Sequence, residues 1–317
     1  MKGSDGPQAT GSSARYQILA RVRRPRCIFV GPGSWGRRVL RRVDRYFDVI
    51  ALVSNGRFET VEWSARHYPQ TPHLLDLSDA LTLPFVDAVF FATPTRTHAA
   101  LTCEALQAGC HVFVEKPLSL EPDGAIRAVT MAERYGLEVF VGYVYLFHPG
   151  FRFLSSVASP ESIRSLRFEW VRPQLSGSLH GELLCHDLAV TIALTGELPK
   201  RVVVIDSCNR FLRCRIELPS GRLCESTMEL RQDMLKRKTL TVIYEDGMTY
   251  KWHDDQVFSV DDPVVGLLNQ EGEDPLSREI SAFRSAIEGH RPRMVDDRRF
   301  SIGIARLLSH LEDNVGT

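Results

Sequence analysis

The first half of the chain alternates short apolar runs with amphipathic stretches. Five apolar runs have the length and composition of strands buried on both faces, and they lie at 26–30, 47–54, 86–93, 111–117 and 138–145. Between the first two runs, Val39, Leu40 and Val43 recur at helical spacing, with arginines on the opposite face. Strands that alternate with helices in this way predict right-handed crossovers and a doubly wound parallel sheet. Ligands of such sheets bind beyond the carboxyl ends of the strands.

The pattern changes after about residue 150. Consecutive runs of alternating polar and apolar residues are separated by turn signals such as Pro219-Ser220-Gly221 and Asp246-Gly247. Helical spacing interrupts these runs at about 180–195, and it returns at 277–289 and 297–313. The sequence therefore predicts an α/β protein: an N-terminal Rossmann domain and a C-terminal α/β domain with a large open, mostly antiparallel sheet.

The predicted boundaries follow from these patterns. We expect a disordered basic tail at 1–24, a dinucleotide-binding domain at 25–147, and a substrate-binding and oligomerisation domain at 148–317. Alternation in the last of these, as in Leu240, Val242 and Tyr244, suggests an apolar sheet face that a second subunit covers. The expected assembly is a homodimer or homotetramer.

Composition narrows the possible partners. The 317 residues carry 39 Lys and Arg against 39 Asp and Glu, so the net charge gives no reason to expect nucleic acid. No apolar stretch approaches the roughly 18 residues that cross a bilayer, and the polar N-terminus lacks the apolar core of a secretory signal. Seven cysteines without a C-x-x-C pair fit a reducing cytoplasm, and no metal site is expected.

A glycine motif follows the first predicted strand. Gly31, Gly33 and Gly36, with Ser34 and Trp35 between them, form G-x-G-x-x-G at the start of an amphipathic helix. Such glycines permit a tight turn and let a pyrophosphate approach the backbone at the helix N-terminus. The strand before the motif and the helix after it favour dinucleotide binding over a plain glycine turn.

The end of the second strand bears on which nicotinamide nucleotide binds. Ser54 and Asn55 stand where an NAD enzyme commonly has an acidic residue for the ribose 2′-hydroxyl. Arg57 follows closely and is suited to a 2′-phosphate. The pattern favours NADP, while NAD stays an alternative because some NAD enzymes also lack the acid.

The third and fourth strands end in polar side chains. Thr93 and Pro94 are expected beside the nucleotide, Thr97 as a helix cap, and His98 as a contact at that helix N-terminus.

Glu115 and Lys116 end the fourth strand, and burying such charges costs several kcal/mol unless each has a partner or lies at an open edge. A lysine there, beside a nicotinamide, can polarise or protonate an oxygen at the reacting carbon, with Glu115 offsetting its charge. Pro117 would fix the exit of the chain, with a cis peptide as one option. The alternative reading is a strand-end salt bridge.

The stretch 181–199 offers a second proton-handling group. Glu182 and His186 are four residues apart on a predicted helix, so they share a face. A histidine with a carboxylate beside it makes a general base with an orienting partner. A structural histidine in a capped helix fits the pattern equally well.

Taken together, these motifs resemble the Gfo/Idh/MocA family of nicotinamide-dependent oxidoreductases over about residues 26–317. The resemblance rests on "GPGSWG", "ATPTRTHAALTCEALQAGCHVFVEKPLSL", "GYVYLFHPGF", "ELLCHDLAV" and "LSREISAFRSAIEGHRP". It implies that Lys116 contacts substrate and nicotinamide, and that His186 is the acid/base. The family's aspartate before that histidine is Glu182 here, and Phe147-His148-Pro149 replaces a Y-N-P-like segment of many sugar-active relatives.

These residues lead to one principal hypothesis. The chain is expected to be an NADP(H)-dependent oxidoreductase acting on a small molecule, a sugar or nucleotide-sugar, with Lys116, His186 and Glu182 as catalytic residues. The expected substrate contacts are Lys116, Tyr145, His148, His180 and His186. The alternatives are a reductase of a cyclic imine or tetrapyrrole-like substrate, and a non-catalytic NADP sensor.

Overall fold

Two β-sheets organise the chain. The computed structural model describes residues 23–157, 159–174, 179–260, 273–290 and 298–315. The first sheet is parallel and its strands are β1 (Arg26–Val30), β2 (Asp48–Val53), β3 (His73–Leu74), β4 (Ala88–Phe91), β5 (His111–Glu115) and β6 (Val139–Gly142). The second sheet consists of β7 (Ile163–Arg172), β8 (Arg201–Cys208), β9 (Phe211–Glu217), β10 (Leu223–Leu230), β11 (Arg237–Tyr244), β12 (Thr249–His253) and β13 (Gln256–Ser259).

The first sheet has the strand order β3-β2-β1-β4-β5-β6. The chain leaves β1 in one direction towards β2 and β3, and it returns to the other side of β1 with β4. This reversal opens a crevice at the carboxyl ends of β1 and β4, where doubly wound sheets bind their ligands. The predicted Rossmann topology is confirmed.

Nine α-helices are described. They are α1 (Ser34–Tyr46), α2 (Phe58–His67), α3 (Leu77–Leu81), α4 (His98–Gln107), α5 (Pro122–Tyr135), α6 (Pro149–Val157), α7 (Cys185–Thr195), α8 (Pro275–Ile287) and α9 (Arg298–Val315). Helices α2, α3 and α6 and the short strand β3 were not predicted, because none carries a long periodic apolar pattern. No described helix has both the length and the apolar character to span a bilayer.

The second sheet is open and mostly antiparallel, as predicted. Its order is β13-β12-β11-β7-β10-β9-β8, and among the described strands only the central pair β7 and β10 is parallel. Strict alternation buries one face of each central strand, so Phe168 and Trp170 of β7 lie opposite Leu240 and Lys238 of β11 on the covered side.

The apolar residues that suggested an oligomer lie on this covered face. Leu240, Val242 and Tyr244 are buried within the single chain, together with Leu212 and Cys214 of β9. The other face is largely polar. The alternation of apolar residues does not distinguish a face covered by the chain's own helices from one covered by a second subunit. This apolar face is therefore not a reason to expect an oligomer.

A cluster of phenylalanine rings joins the C-terminal segment to the first sheet. Phe283 of α8 has its ring centroid 5.3 Å from Phe90, 5.8 Å from Phe113 and 5.7 Å from both Phe47 and Phe140. Helix α8 therefore covers the dinucleotide-binding sheet although it comes from the last fifth of the chain. The domain boundary between residues 147 and 148 stays a prediction. The structure adds that the chain returns to the first domain through α8.

The N-terminal tail is described only from Arg23 onwards. Arg23 pairs with Asp87 at 2.8 Å, and Arg24 donates to the backbone carbonyl of Phe47 at 2.5 Å. Residues 1–22 of the predicted disordered tail lie outside the described residues.

Helix α8 also brings a buried carboxyl group towards the first sheet. Glu279 is fully buried, and neither of its carboxylate oxygens has a hydrogen-bond partner among the described residues. Burial, followed by repulsion from Glu115, raises the pKa of Glu279 well above its usual range.

This carboxyl group makes stability depend on pH. A carboxyl whose pKa is raised by folding binds more protons in the folded state, so the free energy of unfolding falls as the pH rises above the unfolded pKa. Glu279→Gln removes this contribution, and its stability relative to the parent should improve from about pH 5 to about pH 8. Urea denaturation at both pH values measures the difference. Glu288→Gln, at the exposed end of the same helix, is the control, and an unchanged pH dependence in Glu279→Gln would contradict the assignment.

Candidate active site

The three motif glycines are each required for a different reason. Gly31 has a φ of 87°, and a Cβ there would lie 2.6 Å from the carbonyl oxygen of Ala92. At Gly36 a Cβ would meet the Gly31 carbonyl oxygen at 2.0 Å, so the helix could not pack on the strand. A Cβ at Gly33 would meet nothing within 4 Å, because this residue faces open space. A tight turn, an open approach and a close helix contact are the three demands of a dinucleotide-binding loop.

A groove of about 620 Å³ runs along the carboxyl ends of the strands beside this loop. Its lining residues from the glycine loop and from the ends of β2 and β4 include Gly31, Gly33, Ser54, Asn55, Arg57, Thr93 and Pro94. Ser54 is held by a 2.8 Å contact between its Oγ and His73 Nε2, and Thr93 Oγ1 lies 2.8 Å from Thr97 Oγ1. The residues predicted from three separate loops thus meet in one groove.

A recess of about 420 Å³ opens from this groove at the N-terminus of α1. It is lined by Gly33 and Ser34 and by four arginines, which are Arg37, Arg38, Arg41 and Arg57. The guanidinium of Arg37 lies 4.7 Å from the centre of the Trp63 ring, a cation–π contact that holds one side of the recess. Positive side chains and a helix N-terminus at one place suit a phosphate group.

On its other side the groove continues into a cavity of about 820 Å³. The two spaces share Ala92, Thr93, Pro94 and Arg96 in their walls. Lys116 from the end of β5 and His186 from α7 both line the cavity. The ammonium of Lys116 donates to the backbone carbonyl oxygen of Glu182 at 2.8 Å, so the two parts of the chain are joined at the site itself.

Trp35, Glu115 and Tyr145 complete the part of the wall nearest to these groups. Burial raises the pKa of the Glu115 carboxyl, although a hydrogen bond from Trp35 and the charge of Lys116 oppose the shift. The peptide bond between Lys116 and Pro117 is cis, which is the option that the sequence left open.

His186 is the second residue of α7, directly after a change in helix geometry. Residues His180–Leu184 form a π-helical turn, and α7 begins directly after it. Such turns occur often at functional sites. Glu182 and His186 both line the cavity, but His186 Nδ1 has no hydrogen-bond partner among the described residues, so the expected orienting bond does not form at that atom.

Aromatic rings hold His186 instead. Its ring centroid lies 4.7 Å from that of Tyr145, edge to face, and 6.2 Å from that of Trp170, to which it is nearly parallel. Burial, followed by the positive charges of Lys116 and Lys238, lowers the pKa of His186 well below its usual value. The imidazole is therefore neutral at physiological pH and able to accept a proton.

Behind these rings lies a buried lysine that the sequence analysis missed. Lys238 Nζ is 3.3 Å from the ring centre of Tyr145, 4.2 Å from that of Trp252 and 5.0 Å from that of Trp170. It is 3% exposed, and its ammonium has no hydrogen-bond partner among the described residues. Burial lowers the pKa of Lys238, and the nearby Asp187 carboxylate opposes the shift. The alternation of β11 contained a signal, because it places Lys238 on the buried face with Leu240.

Asp187 is the buried counter-charge of this lysine. Its carboxylate accepts hydrogen bonds from Trp170 Nε1 at 2.9 Å and from Ser226 Oγ at 2.6 Å. Burial raises the pKa of Asp187, opposed first by the charge of Lys238. These bonds fix Trp170, which in turn faces His186.

Of three predicted site histidines, His98 lines the cavity while bridging two loops, and the other two lie outside its wall. His98 is 1% exposed and bridges two loops, with Nε2 2.8 Å from the Thr93 carbonyl oxygen and Nδ1 2.8 Å from that of Pro117. His148 accepts from the Gly150 backbone, pairs with Asp255 at 3.1 Å, and lies outside the cavity wall. His180, at the start of the π-helical turn, is also absent from that wall. The sequence placed all three near the site but could not show which way each ring points.

Among the described residues, no group of three or more His, Cys, Asp or Glu side chains is arranged to hold a metal ion.

Comparison with known proteins agrees with this geometry. Residues 25–143 match the family GFO_IDH_MocA, described as an oxidoreductase family with an NAD-binding Rossmann fold. The likeness to the Gfo/Idh/MocA oxidoreductase family covers this segment of the chain. The match covers the glycine loop, Lys116 and the whole parallel sheet.

Relatives extend the likeness into the second sheet. UDP-N-acetylglucosamine 3-dehydrogenase of Acidithiobacillus ferrooxidans is 27% identical over 239 residues, which are 69% of this chain and 75% of the relative. Its solved structure covers 93% of this chain and 98% of its own, with a TM-score of 0.74 at 23% identity. Scyllo-inositol dehydrogenase of Lactobacillus casei, solved with bound NAD(H) and scyllo-inositol, has a TM-score of 0.77 at 15% identity and covers 93% of this chain and 97% of its own. The names of these relatives and the matched family support an NAD(P)-dependent oxidoreductase.

The buried Lys238 should affect the pKa of His186. Lys238→Met keeps an unbranched side chain but removes a positive charge that lowers the pKa of His186, so that pKa should rise. An NMR titration of the His186 ring, assigned with His186→Gln, measures the shift without any substrate. Lys251→Met removes a lysine from the opposite face of the sheet and should leave the titration unchanged. An identical His186 pKa in the parent and in Lys238→Met would contradict the assignment.

Proposed function

We propose that this protein is an NADP(H)-dependent oxidoreductase that transfers a hydride between nicotinamide and a carbinol or carbonyl carbon of a sugar or nucleotide-sugar. One observation carries the proposal. Lys116, directly after β5, and His186, in α7, are 70 residues apart and line one cavity that continues into the glycine-loop groove. A substrate carbon in this cavity would have the nicotinamide on one side and the proton-handling Lys116 and His186 on the other.

The residues in the cavity wall divide the proton chemistry between them. The nicotinamide, when bound, supplies the hydride donor or acceptor. His186 is neutral, so its imidazole accepts the proton of a substrate hydroxyl during oxidation and returns it during reduction. Lys116 is oriented by its bond to the Glu182 carbonyl and polarises the same substrate oxygen. Tyr145 and Trp170 exclude water from the buried side of His186.

The arginine recess supports NADP over NAD. Arg57 was expected to bind the 2′-phosphate, and the recess places Arg37, Arg38 and Arg41 around the same space. The carboxylate in its wall is that of Glu59, against four arginines. A 2′-hydroxyl would leave this positive charge without a partner.

The substrate class, the cellular location and the oligomeric state are also proposals. Small hydroxylated substrates are favoured by the names of the relatives, one of which acts on a UDP-sugar and another on an inositol. No observation favours the cyclic-imine or sensor alternatives. A cytoplasmic location and a homo-oligomer are proposed from the sequence, through its unpaired cysteines and the family resemblance.

Loss of either proton-handling group should reduce turnover while sparing cofactor binding. We expect Lys116→Ala and His186→Ala to lower turnover by roughly 10²–10⁴-fold, the usual effect of a positioned acid or base. NADPH absorbance with UDP-N-acetylglucosamine as the first test substrate measures turnover, and NADPH fluorescence measures binding. Lys200→Ala, an exposed lysine, is the control. Near-parental turnover in both site variants would refute the assignment and favour the sensor reading.

Cofactor preference should depend on Arg57. The parent should bind NADPH more tightly than NADH, and Arg57→Ala should remove most of that difference, because one charge-assisted bond to phosphate contributes roughly 1.5–3 kcal/mol. Fluorescence titration with both nucleotides measures it. Arg66→Ala, on the exposed side of α2 where Arg66 pairs with Glu62, should keep the preference. Equal affinities in the parent would rule out the NADP proposal.

A further inference from the structure

One wall of the cavity carries positive charge that hydride transfer does not use. Arg172 is the last residue of β7, and Lys236 directly precedes β11. The antiparallel register pairs Val171 with Arg237, so Arg172 and Lys236 occupy the next facing positions of the two strands. Both line the cavity of about 820 Å³.

These two cations lie on the side of the sheet that carries Trp170 and Lys238, with Arg172 half-buried and Lys236 exposed. Alternation along β7 and β11 puts Arg172 on the same face as Trp170, and Lys236 on the same face as Lys238. The side chains of Arg237 and Val171 point to the other face. Next to the buried Lys238, this face of the sheet therefore presents two more positive charges, which line the cavity.

Like charges that face each other across antiparallel strands destabilise a sheet. Among the described residues, no carboxylate forms an ion pair within 4.0 Å of Arg172 or Lys236. Partial desolvation, and then repulsion from Arg172, lowers the pKa of Lys236, with Asp254 and Asp255 opposing the shift only in part. Arg38 of α1 adds a third positive charge to the same side of the cavity.

We propose that Arg172 and Lys236 form an anion subsite that binds the diphosphate of a nucleotide-sugar substrate, with the sugar extending towards Lys116 and His186. This inference rests on the proposed function and narrows its substrate class. Two separated cations match two phosphate groups, whereas a single carboxylate is satisfied by one arginine. The pyrophosphate of the cofactor is accounted for at the glycine loop, which lines the neighbouring groove.

The subsite can be tested without knowing the sugar. The protein is first saturated with NADP⁺, so that the nucleotide groove is filled, and UDP is then titrated into it by calorimetry. UDP should bind the parent, and Arg172→Gln and Lys236→Gln should each weaken binding by roughly ten- to a hundredfold. Arg237→Gln removes the same charge one residue away on the opposite face of the sheet, and it should change UDP binding less than about twofold, the size expected of a screened surface charge.

Each other result contradicts the inference. It is overturned if UDP does not bind the NADP⁺-loaded parent, if both site variants bind UDP as the parent does, or if Arg237→Gln weakens binding equally. If glucuronate binds and its binding depends on both cations, while UDP does not bind, the subsite is one for a carboxylate and not for a diphosphate. NADPH titration of each variant reports whether it is folded, and Arg172→Lys restores the charge if Arg172→Gln fails to fold. Absence of NADPH binding in the parent would count against the proposed function instead.

Discussion

The hydrogen bond from the Lys116 ammonium to the Glu182 carbonyl joins the two parts of the active site. At 2.8 Å it connects the carboxyl edge of the parallel sheet to the π-helical turn that precedes His186. A lysine at the end of a buried strand needs a partner, and a backbone carbonyl supplies one without neutralising its charge. The cost of burying this cation is thus reduced by the same contact that directs it towards the cavity.

Burial and nearby charge then fix the protonation states of the other groups. His186 lies between aromatic rings and beside two lysines, so it stays neutral although it faces a polar cavity. Lys238 and Asp187 lie behind those rings and offset each other's burial without forming a direct ion pair within the described residues. The rings that exclude water from His186 therefore also separate it from a buried charge pair, and the site holds a neutral base close to positive charge.

The sequence was sufficient for the fold and for the residues that turns and strand ends place. The glycine spacing fixed the loop, and Lys116 could be located because a charged pair ends a buried strand. It was insufficient where contacts join distant segments. Glu279 and Phe283 reach the first sheet from α8, and the ring direction of His148 depends on Asp255, a partner that periodicity does not reveal. Lys238 was detectable in principle, because it sits at an inward position of β11 and the inward positions that follow it, Leu240 and Val242, are apolar.

The central claim is that the nicotinamide lies where the two parts of the chain converge. A crystal structure of the complex with NADP⁺ tests it most directly. The account predicts the adenosine 2′-phosphate among Arg37, Arg41 and Arg57, and the nicotinamide C4 open to the cavity, leaving a substrate carbon about 3–3.5 Å away and within reach of Lys116 and His186. A nicotinamide ring bound outside the cavity, with Lys116 and His186 turned away from it, would contradict the account.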